Sequence, residues 1–283
     1  MAQRHRRGER TSQSKDDATR RRPELEFVYG RNAVYECLFG RRSHRRVYIA
    51  DGIELNARVH EVRNQALLLG LSVESAPRRT IDDLVRGANH QGVVLETSRF
   101  VYDSLQEILD AKGNALALDH LTDPQNFGTL LRSAEAFGVS AAIIPKDRSV
   151  EVTPAVVSSS SGAVEHLQIS QVTNLSRALG EAKIAGYWVV GLDRTDSAAP
   201  LRSIGSIEPF ILVVGAEGSG MSPSINRQCD FVAAIEQRGA IDSLNAAVAG
   251  SIALYHLTSD SLELKAKPAD SDLKAEPPQR IVT

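Results

Sequence analysis

Three short stretches of the sequence set amide, guanidinium and carboxylate side chains among small and apolar residues. They are residues 123–138 (DPQNFGTLLRSAEAFG), 213–222 (VVGAEGSGMS) and 238–250 (RGAIDSLNAAVAG). A helix or strand packed in a core needs none of these polar groups. Such groups bind anions, orient hydroxyl groups and attract cations, which makes the three stretches candidates for a site that binds a polar ligand.

The first stretch is typical of a turn followed by a helix. Asp123 and Pro124 form the turn, and Asn126 lies at the start of the helix. Arg132 falls on the second turn, from where it could reach an anion near the helix N-terminus, because free N–H groups there also attract phosphate. Taken alone, Asn126 could equally be a helix cap and Arg132 a surface residue.

The second stretch combines three glycines with one carboxylate, in the pattern Gly-x-Glu-Gly-x-Gly that runs from Gly215 to Gly220. It differs from the Gly-x-Gly-x-x-Gly of dinucleotide-binding domains, and it is no P-loop because no Lys-Ser/Thr pair follows. The carboxylate of Glu217 would repel a pyrophosphate, so it suits a cationic or hydroxyl-bearing ligand. A plain tight turn would explain the glycines as well.

The third stretch opens the last predicted helix. Ser243 is the expected N-cap, whereas capping does not readily explain Asn245. Apolar residues at helical spacing predict a stripe that faces the core. The stripe consists of Leu244, Val248, Ser251/Ile252 and Tyr255.

Strand-like and helix-like segments alternate around these stretches, which favours an α/β fold with a parallel sheet covered on both faces. Each stretch follows a strand or opens a helix, and ligands of such sheets bind outside the carboxyl ends of the strands. We expect five segments along the chain. They are a basic disordered arm (1–24), a small α/β domain (25–98), a linker with a short amphipathic helix (99–113), a larger α/β domain (114–258) and a disordered tail (259–283).

Charge is distributed unevenly along the chain. The formal net charge is −2, but residues 1–22 hold eight Arg and Lys and three Asp and Glu, which gives +5 and leaves −7 for the rest. A basic arm of this kind is either attracted to a polyanion or simply solvated.

The remaining composition excludes several classes of protein. The two cysteines, Cys37 and Cys229, are far apart and near no histidine cluster, so we expect no metal site and no disulfide framework. The apolar runs are far shorter than the roughly 18 residues that span a membrane, so no membrane partner is expected. No apolar segment typical of a secretory signal follows the N-terminus.

Together, the three stretches resemble the three motifs of the SpoU/TrmH-type (SPOUT class) RNA ribose 2′-O-methyltransferases, over about residues 115–257. Upstream, YGRNAV (29–34) and HQGVVLE (90–96) are similar to the substrate-binding domain of the branch that modifies guanosine in 23S ribosomal RNA. The resemblance implies a parallel sheet with a C-terminal trefoil knot. A small α/β substrate-binding domain, like ribosomal protein L30e, would precede it.

The resemblance also implies an activity and a set of site residues. The activity is 2′-O-methylation of a ribose, that of a guanosine in the large-subunit rRNA, by a homodimer that uses S-adenosylmethionine. The implied catalytic residues are Arg132, Asn126, Glu217, Ser243 and Asn245. Those implied for the cofactor are Gly215, Ile235, Leu244 and Gly220. RNA binding is expected from basic clusters of the first domain, namely Arg41, Arg42, Arg45, Arg46, Arg78 and Arg79.

Arg132 has two possible roles in this chemistry. It could remove the proton of the 2′-hydroxyl, or it could position that oxygen or a neighbouring phosphate as an anion. The residue types favour neither role over the other decisively, although a guanidinium is an unusual base.

One departure from the family pattern concerns the cofactor. The family usually has Ile-Pro-Met-x-Gly before the third motif, where this chain has Ile235-Glu236-Gln237-Arg238-Gly239. The change bears on cofactor affinity, and Glu236 is a candidate for attracting the sulfonium. It also leaves an alternative function open, a knotted RNA-binding or ribosome-assembly protein without catalysis. A nucleotide-dependent oxidoreductase is disfavoured because its glycine fingerprint is missing. We expect a cytoplasmic protein, of bacterial or organellar origin.

Overall fold

The computed structural model describes residues 25–195, 198–239 and 243–259. They form two α/β units, each with a sheet of its own. The predicted basic arm (1–24) and, beyond its first residue, the predicted tail (259–283) lie outside the described residues. Within the described ranges, no helix has the length and apolar character that crossing a membrane requires.

The first unit is a four-stranded mixed sheet with three helices among its described residues. Its elements are β1 (Leu25–Tyr29), α1 (Arg31–Cys37), β2 (His44–Ala50), α2 (Ala57–Leu68), β3 (Ser72–Ala76), α3 (Arg78–Leu84) and β4 (Val93–Ser98). The strand order is β1-β4-β2-β3. Of the three strand pairs only β2–β3 is parallel, because β4 lies between β1 and β2 and runs antiparallel to both. The alternation of strands and helices, which predicts a parallel sheet, therefore predicts the wrong strand directions for this unit.

The predicted linker docks on the second unit. It carries the short helix α4 (Leu105–Ala111), which starts with a capping box between Ser104 and Glu107. Just before it, the Asp103 N–H donates to the Ile169 carbonyl at 2.8 Å, and the Ile169 N–H donates to Asp103 Oδ2 at 2.9 Å. These bonds fix the linker to a strand of the second sheet.

The second unit is built round a seven-stranded sheet. Its elements are β5 (Ala115–Asp119), α5 (Pro124–Ala136), β6 (Ala141–Pro145), α6 (Pro154–Ser159), β7 (Gln168–Val172), α7 (Leu175–Ile184), β8 (Trp188–Leu192), β9 (Ala199–Pro200), β10 (Phe210–Gly215), α8 (Pro223–Asn226), β11 (Phe231–Ala234) and α9 (Ala246–Thr258). The strand order is β7-β6-β5-β10-β8-β11-β9, and every pair is parallel. The parallel sheet predicted from the sequence is confirmed.

Helices cover both faces of this sheet. Along β5, Leu116 and Leu118 belong to a core that includes side chains of α5 and α9. Ala115 and Ala117 belong to a second core, with side chains of α4 and α7. Every residue of β5 is buried, as the near-continuous apolar run predicts.

The strand order places the candidate stretches at one edge. β10 lies between β5 and β8, so the carboxyl ends of these strands and of β11 are neighbours. Ligands bind at such an edge where the order of strands reverses. The trefoil knot stays a prediction, because strand order and direction do not describe the threading of the last segment.

The core-facing stripe predicted for α9 is wrong. Val248, Ile252 and Tyr255 are exposed, at 46%, 42% and 57%. The helix is apolar on all sides, so spacing alone cannot tell which face is buried. The buried face is the one with small residues: a Cβ added to Gly250 would lie 2.7 Å from Leu130 Cδ1 of α5. Close packing on α5 decides the orientation of the helix.

Residues 153–167 (TPAVVSSSSGAVEHL) begin with a helix-start pattern, yet the helix ends at Ser159. Ser161 and Gly162 have left-handed backbones, with φ of 55° and 89°, and a 3-10 turn at Ala163–His166 follows them. Thr153 occupies the N-cap position but makes no capping hydrogen bond with its side chain. The break brings the Ser161 side chain toward α5.

Candidate active site

A cavity of about 640 Å³ opens at the carboxyl ends of β8, β10 and β11. This volume lies within the usual range of small-molecule sites. Its walls come from the segments after these three strands and from the start of α9. All four residues expected to bind a cofactor line it, as do two of the expected catalytic residues. They are Gly215, Gly220, Ile235 and Leu244, with Glu217 and Ser243.

The glycine-rich loop is closed on itself. Ala216 and Gly220 exchange two backbone hydrogen bonds, of 3.2 and 3.0 Å. A Cβ on Gly215 would lie 2.3 Å from the carbonyl carbon of Gly220, so no larger residue fits there. Gly218 has a φ of 84°, which favours glycine. The loop is therefore a tight turn and a cavity wall at once, and it carries Glu217 on an exposed tip.

Asp193 is a cavity residue that the sequence analysis missed. It follows β8 directly, and its Oδ1 accepts from the Arg194 N–H at 2.7 Å. Its Oδ2 accepts from the Met221 N–H at 3.4 Å, which ties the glycine-rich loop to β8. A Cβ on Gly220 would lie 2.8 Å from Asp193 Oδ1, so this glycine leaves room for the carboxylate. A polar residue straight after a parallel strand was the available signal.

Asn245 joins two of the candidate residues through its side-chain amide. The Nδ2 atom donates to Asn126 Oδ1 at 2.8 Å and to Glu217 Oε1 at 3.5 Å. The three stretches that the sequence analysis singled out therefore meet in one cluster at the carboxyl edge of the sheet. An amide–carboxylate cluster of this kind can hold a hydroxyl group by accepting and donating hydrogen bonds.

The helix caps differ from the expected ones. Asn245 is the N-cap of α9, since its Oδ1 accepts from the N–H groups of Ala247 and Val248 at 3.0 and 3.2 Å. Ser243 lies two residues before this cap and lines the cavity instead. The cap of α5 is Asp123, whose carboxylate accepts from the N–H groups of Gln125 and Asn126. Because Asp123 is the N-cap of α5, the side chain of Asn126 is free to accept a hydrogen bond from Asn245.

Arg132 lies apart from this cluster. Its side chain is exposed on α5, and it does not line the cavity. Its Nη1 donates to Ser161 Oγ at 3.1 Å. This is the one hydrogen bond that the guanidinium makes with the described residues. It can still bind an anion from solvent, because a guanidinium has five N–H donors.

Residues 235–239, which depart from the family pattern, lie only partly against the cavity. Ile235 and Gln237 line the cavity, whereas Glu236 does not. Glu236 Oε1 instead pairs with Arg202 Nη2 at 2.7 Å. The expectation that Glu236 attracts the sulfonium is therefore not supported by its position.

Four of the six arginines expected to contact RNA are paired with acids. Arg42 is buried between Glu26 and Glu165, and its Nη2 lies 2.8 Å from Glu165 Oε1. A phosphate cannot reach it, so the expectation for Arg42 is wrong. The others are exposed or half-buried: Arg41 pairs with Asp103, Arg45 with Glu96, and Arg46 with Glu74 and Glu96. Arg78 and Arg79 are exposed and make no ion pair within the described ranges.

Comparison with known proteins gives matches for both units. The SpoU rRNA Methylase family model matches residues 113–255, and the family model for RNA 2′-O ribose methyltransferase substrate binding matches residues 27–102. Among curated relatives, YacO of Bacillus subtilis, whose name assigns it to the TrmH family of tRNA/rRNA methyltransferases, is 35% identical over 238 residues. The match covers 82% of this chain and 94% of that protein.

Two further comparisons agree with this result. An uncharacterized tRNA/rRNA methyltransferase of Mycolicibacterium paratuberculosis is 34% identical over 244 residues, which are 84% of this chain and 79% of that protein. The AdoMet-bound rRNA methyltransferase structure from Sinorhizobium meliloti superposes with a TM-score of 0.70 at 26% identity. The superposition covers 84% of this chain and 88% of the Sinorhizobium meliloti chain. The resemblance seen in the sequence is confirmed, and the chain belongs to the SpoU/TrmH family of RNA methyltransferases.

Proposed function

We propose that this protein methylates the 2′-hydroxyl of a guanosine ribose in 23S rRNA, with S-adenosylmethionine as the methyl donor. The observation that carries the proposal is the Asn126–Asn245–Glu217 cluster beside a cavity of cofactor size. RNA as the substrate follows from the family. The choice of guanosine in 23S rRNA over tRNA rests on the YGRNAV and HQGVVLE segments of the first unit.

The cavity suits the methyl donor in its wall chemistry. When bound, S-adenosylmethionine supplies a methyl group on a positively charged sulfur. Ile235 and Leu244 give the cavity apolar surface, and the backbone of the glycine-rich loop gives it hydrogen-bonding groups. The carboxylates of Asp193 and Glu217 line the same space and would offset positive charge.

The polar cluster would orient the acceptor. A ribose hydroxyl is a weak acid, so the chain must hold it in line with the methyl group before its proton leaves. We assign this orientation to Asn126, Glu217, Ser243 and Asn245. Arg132 is assigned to holding the 2′-oxygen or the adjacent phosphate, because a guanidinium stays protonated in proteins and binds such anions in a bidentate manner.

The domains divide this work between them. Residues 114–258 would carry methyl transfer and residues 25–98 would bind RNA, with 99–113 as the linker. A homodimer is part of the proposal, and an apolar face next to the site supports it. Val248, Ile252 and Tyr255 are exposed on α9, and the Tyr255 ring packs on Phe137, the residue that follows α5, at 5.5 Å between centroids. Exposed apolar patches of this kind mark protein interfaces.

The test is methyl transfer from labelled S-adenosylmethionine to unmodified 23S rRNA, with tRNA offered in parallel. We expect label on one guanosine ribose, and a loss of roughly 10²–10³ in rate for Arg132→Ala, the effect of removing one group that stabilises a developing oxyanion. Arg177→Ala is the matched control, because Arg177 is exposed on α7 and its ion pair among the described residues, with Glu181, lies within that helix. Label on tRNA alone, or on a base, would rule out the proposed substrate.

The alternative is an RNA-binding or ribosome-assembly protein without catalysis. Glu236 and Gln237, in place of the family's Pro and Met, are the observation that favours it. Calorimetric titration with S-adenosylmethionine separates the two: the enzyme binds the donor, and an assembly protein that lost the chemistry does not. A cytoplasmic location is part of the proposal and would be read from fractionation of the source cells.

A further inference from the structure

A second cavity lies in the first unit, away from the methyl-transfer site. Its volume is about 380 Å³. It opens where β2 ends and where α1 and α3 begin, beside the turn that leads into β4. Its walls contain two guanidinium groups, one amide, one carboxylate and apolar surface. The lining residues that the argument uses are Arg31, Arg78, Gln91, Asp51, Ile53 and Gly92.

The arginines of this cavity keep their charge available, unlike those of the 41–46 cluster. Each arginine of that cluster has a carboxylate partner, so its charge is offset. Arg31 and Arg78 make no ion pair with any residue the structure describes. Counting Asp51, the cavity carries a formal charge of about +1, which favours an anion.

The backbone around the cavity holds Arg31 in a fixed orientation. The Arg31 Nε donates to the Gln91 carbonyl at 3.1 Å, and the Arg31 N–H donates to Gln91 Oε1 at 3.3 Å. Gln91 achieves this with a φ of 51°, which is unusual for a residue other than glycine. The Nη groups of Arg31 are left for a ligand, and strained backbone that orients a charged group is typical of binding sites.

We propose that this cavity takes one unpaired nucleotide of the RNA substrate, with its phosphate between Arg31 and Arg78 and its base against Ile53. The volume is within the range for small ligands, and a concave pocket admits a base only when it is unstacked. Asp51 can accept a hydrogen bond from a base N–H, while its Oδ1 also accepts from Ser75 Oγ. This inference rests on the proposed function in one respect, that the substrate is RNA.

The test uses the full chain and a short, unstructured, fluorescein-labelled RNA, with binding followed by anisotropy at several salt concentrations. Arg78→Gln should weaken binding about tenfold, the factor for one lost charge-assisted hydrogen bond. It should also reduce the salt slope by about 0.7, the value for one phosphate contact on a single strand. Arg63→Gln is the matched control, because it removes the same charge from an exposed site on α2 outside the cavity.

Two more arms decide what occupies the cavity. A duplex RNA of the same length should bind equally well to wild type and Arg78→Gln, since its bases are stacked. Excess free GMP should compete with the unstructured RNA if the site reads a nucleotide. Equal affinity of Arg78→Gln and Arg63→Gln for the unstructured RNA would overturn the inference. So would a loss of affinity of Arg78→Gln for the duplex as large as its loss for the unstructured RNA. Binding is measured without cofactor, so a negative result in this experiment does not contradict the methyl-transfer proposal. A chain that fails to transfer methyl groups could likewise still bind the nucleotide.

Discussion

Arg132 on α5 and Ser161 after α6 form a hydrogen-bonded pair, in which Nη1 donates to Oγ at 3.1 Å. Ser161 makes this contact from a left-handed backbone with a φ of 55°. An L-residue in that conformation costs about 1–2 kcal/mol, which glycine does not pay. The contact therefore ties the orientation of Arg132 to a strained position in a different segment of the chain.

Ser161→Gly tests this relationship without threatening the fold. The variant should be as stable as wild type or more stable by about 1 kcal/mol, because glycine relieves the left-handed strain. Its kcat for methyl transfer should fall about tenfold, since Arg132 loses a fixed partner. Affinity for S-adenosylmethionine should not change, because neither residue lines the cavity. Ser161→Asn should restore kcat, as Asn tolerates this backbone and offers an acceptor; an unchanged kcat in Ser161→Gly would contradict the role.

Arg42→Ala should be far more destabilising than Arg45→Ala, although both come from one basic cluster. Removing Arg42 leaves the carboxylate of Glu165 buried without its partner, which costs about 3–5 kcal/mol. The side chain of Arg45 is 56% exposed, and its partner Glu96 keeps a second contact with Arg46, so its loss should cost about 1 kcal/mol or less. Urea unfolding of both variants measures the difference. Similar urea midpoints for the two variants would show that the Arg42–Glu165 ion pair contributes little to the stability of the fold.

Asn245→Ser should separate the capping role of Asn245 from its role in the cluster. Serine caps helices about as well as asparagine, so stability should stay close to that of wild type. The amide that holds Asn126 and Glu217 is lost, and misplaced groups should lower the rate about a hundredfold. Asn245→Ala loses the cap as well and should cost about 1 kcal/mol more in unfolding free energy. Full activity in Asn245→Ser would exclude a role for the amide.

Asp103 should make the fold sensitive to acid. Burial raises the pKa of this carboxyl, but hydrogen bonds from Arg41 and from the Ile169 N–H outweigh burial and leave its pKa below the ordinary value. A carboxyl with a lowered pKa in the folded state stabilises the fold above its unfolded pKa of about 3.9, and that stability is lost as the pH falls through the folded pKa.

The matching variant is Asp103→Asn, studied by thermal unfolding across pH. It should be less stable than wild type at neutral pH, and the gap should narrow below about pH 4 as the wild-type carboxyl takes up its proton. A gap that stays constant with pH would mean that the carboxylate charge at Asp103 is not what holds the linker to the second sheet.

The sequence was sufficient for features that depend on local pattern. The apolar run of β5, flanked by a turn, predicts a buried strand, and the same reasoning holds for β10 and its glycine-rich end. Because the strands are parallel, their carboxyl ends meet, so Asn126, Glu217 and Asn245 could be expected to lie together. The hydrogen bonds of Asn245 agree with that expectation.

Features that depend on distant partners could not be predicted. Arg42 reads as a surface charge within RRSHRR, and its partner Glu165 is 123 residues away. No local pattern distinguishes it from Arg45, which stays exposed. The buried face of α9 is unpredictable for a related reason, because the fit of Gly250 against Leu130 decides it. Asp193 belongs to none of the three stretches, and its position directly after a parallel strand is the one signal that the sequence offers for it.

The position of α9 at the end of the described chain has a consequence for synthesis. Ribosomes make the chain from its N-terminus, and domains fold as their parts emerge. The last residue that lines the cavity of the first unit is Gly92, whereas Glu165, the partner of Arg42, is made later. The cavity at the carboxyl ends of β8, β10 and β11 lacks a wall until Leu244 and Ala249 have been made. By the proposals above, a nascent chain would complete its RNA-binding cavity well before its cavity for the methyl donor.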